Sequence, residues 1–321
     1  MAQGLYIANS HRWLHDALFE HAGVPPDGVT LLTTRADADS IVYLQPPWPD
    51  AEAPDRLATF RPRELRRTFV FSQDDRPTPW APGMYASVAN ARNRGHFTGG
   101  FYVLPHLRDP EGLTADLEAA RDTKPDLLWS FMGTLSTSTV RGRLLQIDGR
   151  GGIVRDTQRF SDTVRWAWNT THRDEGRQAF RLYAETLGRS HFVLCPRGRG
   201  AATIRLFEAL QAGRCPVVIS DDWLPPPFVD WESCSIQVAE ADVARIPDLL
   251  AERVGEADEL GRRARQVWDE FFSPTTQLPT LARACVEIGE ECRTAPRLRL
   301  AGAALRSPSS IRAGVRKATG R

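Results

Sequence analysis

The fold is decided by residues 190–213, which read SHFVLCPRGRGAATIRLFEALQAG. Residues 191–195 form an apolar run of the length and composition of a buried strand. A glycine-rich turn follows at 196–202, and the apolar spacing at 203–212 is that of a helix with one buried face. Gly213 stands where a left-handed residue commonly ends a helix. Strand, turn and helix in this order predict one βα unit of a parallel sheet.

The same alternation extends along the chain in both directions. Apolar runs of strand length occur at 5–8, 41–44, 68–72, 101–104, 127–132, 215–220 and 235–238. Helical patterns separate several of them, so we predict an α/β fold with parallel sheets covered on both faces. At 321 residues the chain exceeds the usual size of one core. We predict an N-terminal domain at 1–123, a second domain at 124–292 and a basic, disordered tail at 293–321.

Composition excludes several functional classes. The formal net charge is +1, which gives no reason to expect a nucleic-acid partner. The five cysteines are an odd number and form no Cys-x-x-Cys pair, which argues against disulfides or a zinc site and for a reducing compartment. With neither a leader pattern nor a long apolar run, the sequence predicts a cytoplasmic protein. The alternative for the basic tail is an arm that touches an anionic membrane surface or an acidic glycan.

The glycine-rich turn carries the chemistry expected of a phosphate site. Gly198 and Gly200 permit close approach of the backbone and positive φ angles. The helix that follows presents unpaired amides and the positive end of its dipole to an anion. Arg199 and Arg205 can add bidentate contacts to a diphosphate. Glu208 shares a helix face with Arg205 and is suited to ribose hydroxyls, although the two could equally form a solvated i, i+3 pair.

These residues resemble a known family. The stretches 190–198 and 204–209, with 212–221, 227–228 and 230–231, look like the C-terminal half of exostosin-type (family 47) glycosyltransferases. The resemblance implies two Rossmann-like domains facing across a cleft, the GT-B architecture. It also implies an inverting enzyme that moves a sugar from a nucleotide-sugar, usually a UDP-sugar, to a glycan or other hydroxyl acceptor.

Carried over by position, the resemblance assigns Gly198, Gly200, Arg205 and Glu208 to the diphosphate and ribose of the donor. Arg141 resembles the family arginine that also reaches phosphate, while taken alone it fits a surface arginine equally well. Negative charge gathers on the leaving diphosphate during transfer, and fixed cations with a helix N-terminus can stabilise it. We therefore expect neither a metal nor a cofactor.

Inversion needs a base that accepts the proton of the acceptor hydroxyl. Asp74 and Asp75 follow the apolar run at 68–72, at the carboxyl end of a predicted strand, and one of them is our candidate. The alternative is that both cap a turn before Pro77. His11 and His96 flank other predicted strands and are further candidates for the acceptor side, unless they are structural.

Two other functions remain open from the sequence. Residues 198–203 approach a dinucleotide fingerprint, and Asp221 follows about 20 residues later, as in an NAD-dependent oxidoreductase. That pattern needs glycine or alanine where Thr203 stands, and it has no place for Arg205 and Glu208. A non-catalytic nucleotide-binding or glycan-binding module on the same fold is the second alternative.

Overall fold

The computed structural model describes residues 2–8, 12–45, 67–75, 77, 82–88, 97–104, 112–158 and 173–294. The chain divides into two compact units. Unit 1 comprises Met1–Val103, Asp222–Pro227 and Pro274–Arg321, and unit 2 comprises Leu104–Asp221 and Phe228–Ser273. The first boundary thus falls after residue 103 rather than 123, and the last described helix belongs to unit 1 rather than to the second domain.

Strands and helices alternate along most of the described chain. The strands are β1 Gln3–Ala8, β2 Val29–Leu31, β3 Ser40–Gln45, β4 Thr68–Ser72, β5 Gly83–Tyr85, β6 Phe97–Gly99, β7 Leu127–Gly133, β8 Gly152–Asp156, β9 Ser190–Pro196, β10 Cys215–Ile219 and β11 Ile236–Val238. The helices are α1 Arg12–Phe19, α2 Leu113–Ala120, α3 Thr139–Arg143, α4 Arg173–Gly188, α5 Ile204–Gln211, α6 Ile246–Glu252, α7 Ala257–Val267 and α8 Gln277–Thr294.

Unit 1 contains a parallel sheet in the order β2-β1-β3-β4-β5-β6. Every residue of β4 is buried, as expected for a central strand covered on both faces. Helix α8 returns from the far end of the sequence to pack near β3 and β5. Its Gln277 donates a hydrogen bond to the carbonyl of Ala17 on α1, which joins the two ends of this unit.

Unit 2 contains a second parallel sheet, in the order β11-β10-β9-β7-β8. After β7 the chain adds β8 on one side, then crosses to add β9 on the other side. The direction of strand addition therefore reverses between β7 and β9. Large buried side chains fill the core around these strands: Trp129, Phe131, Phe192, Leu194 and Val217. The two sheets confirm the predicted α/β class with two Rossmann-like domains.

Two local predictions were wrong. Residues Phe101–Leu104 are buried but are not a strand, and the edge strand is β6 instead. Gly99 in β6 lets the backbone of Leu224 and Pro225 approach too closely for any Cβ, so a glycine fixes this edge. The sequence pattern also predicts a helix from 243 to 254, but the α-helix begins only at Ile246, where Pro247 suits a first helical turn, and a 3-10 turn precedes it. The predicted left-handed cap at Gly213 is confirmed by its φ of 63°.

The described residues include neither a membrane-spanning helix nor a metal-binding cluster. None of the described helices combines the length and the apolar character required to cross a membrane. Likewise, the described part of the chain holds no group of three or more His, Cys, Asp or Glu side chains that could bind a metal ion. The predicted basic tail, apart from the last turn of α8, lies outside the described residues.

Candidate donor site and family membership

The carboxyl edge of the unit 2 sheet gathers the polar groups that the sequence singles out. Strands β7 and β9 end side by side at Gly133 and Pro196, where the direction of strand addition reverses. Ligands of open parallel sheets bind at such a reversal, beyond the carboxyl ends of the strands. Helix α3 follows β7 after a short turn, and α5 follows β9, so both helices start at this edge.

Arg205 in the first turn of α5 is buried at this edge, with only 9% of its surface exposed. Its Nη2 donates a hydrogen bond to the carbonyl of Met132, and its guanidinium carbon lies 4.5 Å from the centroid of the Phe131 ring. Its Nε and Nη1 are buried and have no hydrogen-bond partner in the described structure. A buried cation with unpaired donors is unfavourable, and an anion bound at these donors would relieve that cost.

Gly133 explains how this guanidinium fits. A Cβ at residue 133 would collide with Nη2 of Arg205, so only glycine at the end of β7 leaves room for it. Gly133 at the end of the strand and Arg205 on the helix therefore form one site, although they are far apart in sequence.

Glu208 lies one turn after Arg205 on α5 and is partly buried. The hydroxyl of Tyr183 on α4 donates a hydrogen bond of 2.5 Å to its Oε2. Arg205 and Glu208 thus each have a tertiary partner, Met132 and Tyr183, on a different element. A solvated i, i+3 pair on a helix surface would need neither partner, so the structure argues against that alternative.

Arg141 on α3 is held by several acceptors. Its Nε donates to the carbonyl of Arg197 at 3.2 Å, and its Nη1 donates to the carbonyl of Thr134 at 3.3 Å. Its guanidinium carbon lies 5.6 Å from the Phe131 centroid. Arg141 and Arg205 therefore share one aromatic ring, and the alternative of a solvated surface arginine does not describe Arg141.

The start of α5 is open to a ligand. Thr203 occupies the N-cap position, but its hydroxyl makes no cap hydrogen bond and instead accepts from Nη2 of Arg141 at 3.4 Å. The amides of the first turn of α5 therefore lack the usual side-chain acceptor of an N-cap. Such a helix start, beside two arginines, is a suitable seat for phosphate oxygens.

The glycines of the loop do not adopt the positive φ angles that the sequence analysis allows for them. Neither Gly198 nor Gly200 is among the glycines with positive φ in the described chain. Instead, a Cβ on Gly198 would lie 3.0 Å from Nη2 of Arg141, so the absence of a side chain leaves space for that guanidinium. Arg199 is exposed, and Gly200 is buried in the same loop.

Sequence reasoning missed several polar groups at this edge. Nε of Arg197 and Oγ of Ser220 are buried without a hydrogen-bond partner in the described structure. Nη1 of Arg197 lies 3.6 Å from the Glu240 carboxylate. The position of Arg197 inside the glycine loop could have identified it. No sequence pattern near the glycine loop points to Tyr183, by contrast, because this residue lies on another helix, α4.

Asp221 is the acid that a dinucleotide fingerprint would need for ribose. Here its carboxylate accepts a hydrogen bond from the Glu240 amide at 2.9 Å, while the Asp221 amide donates to the Glu240 side chain at 3.3 Å. This reciprocal pair joins the end of β10 to the segment after β11. Asp221 thus has a structural role, which disfavours the oxidoreductase alternative.

In unit 1, Asp75 is exposed after the end of β4, and its Oδ1 accepts a hydrogen bond from the Tyr102 hydroxyl at 3.5 Å. Burial and the Asp75 carboxylate raise the pKa of Tyr102, so the phenol stays a donor. The Asp74 amide donates to Oγ of Ser72 at 3.3 Å, as in a turn. His11 and His96 lie outside the described residues.

Known proteins resemble this chain. A model of the exostosin GT47 domain matches residues 65–252. An Exostosin-1 homolog of Caenorhabditis elegans is 44% identical over 93 residues, which are 28% of this chain and 24% of that protein. A protein of Arabidopsis thaliana named "Probable glucuronoxylan glucuronosyltransferase IRX7" is 42% identical over 153 residues, which are 46% of this chain and 32% of that protein. The chain thus spans at most about a third of the length of these two relatives.

Among solved structures, WaaG, described as a glycosyltransferase involved in lipopolysaccharide biosynthesis, aligns with a TM-score of 0.39 and 13% identity. The alignment covers 89% of this chain and 99% of WaaG. The family match, in contrast, spans more than half of the chain and includes β4 to β11. It also includes the candidate donor edge, which consists of the carboxyl ends of β7 and β9 and the starts of α3 and α5. The chain therefore belongs to the exostosin GT47 glycosyltransferase family.

Proposed function

We propose that this protein is an inverting glycosyltransferase that takes a sugar from a nucleotide-sugar, a UDP-sugar in the first instance, and passes it to a hydroxyl of a glycan. The observation that carries this proposal is the buried guanidinium of Arg205 with its unpaired Nε and Nη1. A diphosphate would supply the acceptors that these donors need, and it would neutralise the buried charge.

The surrounding groups fit a nucleotide diphosphate better than a single phosphate. Arg141 and Arg205 lie on the same Phe131 ring, and the amides at the start of α5 are next to them. Glu208, one turn further along α5, offers carboxylate oxygens to hydroxyl groups of a ribose. The two arginines and the start of α5 thus suit the diphosphate, and Glu208 suits the ribose that is attached to it in a nucleotide.

The leaving group sets the chemistry of the proposed site. As the bond between the sugar and the diphosphate breaks, the sugar gains oxocarbenium character and the diphosphate gains negative charge. Arg141 and Arg205 are already fixed by carbonyl acceptors, so they can stabilise that charge without reorganising. In this mechanism the protein's own cations stabilise the leaving group.

The base of the proposed mechanism is Asp75. Its carboxylate is exposed, and the hydrogen bond from Tyr102 orients one oxygen and leaves the carboxylate able to accept a proton. Asp74, whose amide is engaged in a turn with Ser72, is the less favoured candidate. The acceptor hydroxyl would transfer its proton to Asp75 as it attacks the anomeric carbon opposite the diphosphate.

The names of the relatives guide the choice of donors. The Arabidopsis relative is named as a probable glucuronoxylan glucuronosyltransferase, so UDP-glucuronic acid belongs in a donor panel together with UDP-glucose, UDP-xylose and GDP-mannose. The experiment measures nucleotide release with glycan acceptors and determines the anomeric configuration of the product. Transfer with inversion from a UDP-sugar supports the proposal. Retention, or nucleotide binding without transfer from any donor to any acceptor, would contradict it and favour the binding-module alternative.

A further inference from the structure

Tyr183 is a part of the donor edge that neither the sequence motifs nor the family resemblance assigns. It lies on α4, which comes directly before β9, and it reaches across to α5. Its hydroxyl is 2.5 Å from Oε2 of Glu208, and its ring centroid is 5.9 Å from the guanidinium carbon of Arg205. One side chain therefore contacts both charged residues of α5.

The two contacts differ in kind. The phenol donates a hydrogen bond to a carboxylate, and such bonds to a charged acceptor are among the stronger hydrogen bonds in proteins. The ring lies within the distance at which an aromatic face attracts a cation, and Phe131 contacts the same guanidinium at 4.5 Å. Tyr183 thus holds Glu208 by its polar end and borders Arg205 by its apolar body.

The space behind these groups is narrow. A narrow gap bounded by Ser130, Met132, Tyr183, Thr186 and Arg205 has no room for a water molecule. Replacement by phenylalanine should leave the ring where it is and remove only the hydrogen bond to Glu208.

The phenol also remains a donor over the whole neutral range. Burial and the Glu208 carboxylate raise the pKa of Tyr183 well above 10.0, so its proton is retained. A negatively charged phenolate beside Glu208 would repel the carboxylate.

We propose that Tyr183 is a positioning residue of the donor site, which fixes the Glu208 carboxylate relative to Arg205 so that one donor nucleotide can meet both. This inference rests on the proposed function. It predicts that Tyr183 matters for the part of the ligand that Glu208 recognises, the ribose, and much less for the part that Arg205 recognises, the diphosphate.

The test compares two probes, UDP and inorganic pyrophosphate, by titration calorimetry. The variants are Tyr183→Phe, Glu208→Gln and the double variant, and Ser190→Ala is the matched control. Ser190 makes a buried hydrogen bond of 2.7 Å to Ser130 close to the same gap, without touching Glu208. Retained pyrophosphate binding shows that each variant is folded.

We expect Tyr183→Phe to weaken UDP binding about tenfold and to leave pyrophosphate binding unchanged, since only a hydrogen bond to a charged group is lost. The double variant should bind UDP no more weakly than Glu208→Gln alone, because Tyr183 acts through the Glu208 carboxylate, which Glu208→Gln already removes. Ser190→Ala should bind both probes like the wild type.

Several results would overturn the inference. Wild-type affinity of Tyr183→Phe for UDP, or an equal loss for UDP and pyrophosphate, would show that Tyr183 does not position Glu208. A loss of UDP affinity in the double variant that equals the sum of the two single losses would also show that Tyr183 does not act through Glu208. A wild-type protein that binds neither probe would overturn the proposed function itself, and this inference with it.

Discussion

Arg205 donates a hydrogen bond to the carbonyl oxygen of Met132, so a guanidinium on the helix after β9 is anchored to the end of β7. This link spans the point where the direction of strand addition in the sheet reverses. It uses one of the donors of Arg205 and leaves Nε and Nη1 buried without a partner in the described structure. The site therefore carries an electrostatic cost that a bound anion would relieve.

The first prediction concerns the effect of the buried Arg205 charge on stability. Replacing Arg205 by methionine keeps much of the side-chain volume and removes a buried charge with unpaired donors. We expect the thermal midpoint of Arg205→Met to equal that of the wild type or to exceed it by about 2 °C, as for other residues kept for function at the expense of stability. Differential scanning calorimetry without ligand measures it. A midpoint lower by about 5 °C or more would show that Arg205 is chiefly structural.

Gly198 gives a prediction about the geometry of the site. In Gly198→Ala the new Cβ would lie 3.0 Å from Nη2 of Arg141, so the guanidinium would have to move by a few tenths of an ångström. We expect about a fivefold loss of UDP affinity, as for a displaced charge-assisted contact. Gly142→Ala, on the same short helix as Arg141, adds a Cβ into open space and is the matched control. Equal UDP affinity of both variants would contradict the role given to Gly198.

The base gives a third prediction. Asp75→Asn should lower kcat by a factor of about 10² or more, the usual contribution of a general base, and should leave UDP affinity unchanged. Asp74→Asn, which keeps the backbone contact to Ser72, should have the smaller effect. Steady-state kinetics with a saturating donor measures kcat of both variants. A normal kcat for Asp75→Asn would remove this residue from the mechanism.

The alternation of apolar runs and helical patterns was enough to predict the fold class, because residues in parallel sheets are buried on both faces and read as continuous apolar segments. The same signal failed at Phe101–Leu104, which is buried without being a strand. Apolar character reports burial, and it does not report which backbone groups pair. The paired edge is β6, whose position depends on the close backbone approach at Gly99.

The donor edge was predictable where its residues are local. The glycine loop, Arg205 and Glu208 fall within one βα unit, so sequence order alone brought them together. Tyr183 and Phe131 could not be found this way, because an aromatic residue on a helix or strand resembles any other core residue. Only the packing of α4 and β7 beside α5 shows that both rings contact Arg205.

Arg214 gives a prediction about stability. Its guanidinium donates to the carbonyls of Gly188 at 3.0 Å, Ala120 at 2.9 Å and Thr123 at 2.6 Å, and so binds the C-terminal ends of α2 and α4. Arg214→Met would remove these three hydrogen bonds, and we expect the free energy of unfolding to fall by about 2–4 kcal/mol. Urea denaturation measures the change.

The control for that experiment is Arg262→Met. In the part of the chain that the structure describes, Arg262 pairs only with the exposed Glu259 on its own helix, at 2.6 Å, so its loss should leave the urea midpoint unchanged. If Arg214→Met unfolds at the same urea concentration as the control, then the helix-end contacts do not stabilise the fold.

The buried cysteines give a pH dependence. Burial raises the pKa of the Cys195, Cys234 and Cys285 thiols from 9.0 to about 12. Below pH 9 these thiols are protonated in both the folded and the unfolded chain, so they do not change stability with pH. As the pH rises from 9 towards 12, only the unfolded chain ionises freely, and the folded state loses stability. The thiols should therefore leave the urea midpoint nearly constant between pH 7 and 8 and lower it by pH 10.

Thiol reactivity checks the same point independently. Native protein at pH 8 should leave these cysteines unmodified by iodoacetamide, while the urea-unfolded chain should react at all of them, as peptide mass spectrometry would show. Rapid modification of Cys195 in the native protein would mean that the thiol beneath the donor edge is accessible, contrary to its burial.

The central claim is that Nε and Nη1 of Arg205, which have no hydrogen-bond partner in the described structure, receive a nucleotide diphosphate. Titration of UDP into the wild type and into Arg205→Met, with GDP and NAD as comparison ligands, tests it most directly. We predict that the wild type binds UDP more tightly than NAD and that Arg205→Met, although folded, loses UDP binding. Equal UDP binding by the two proteins, or binding of NAD without any nucleotide diphosphate, would contradict the claim.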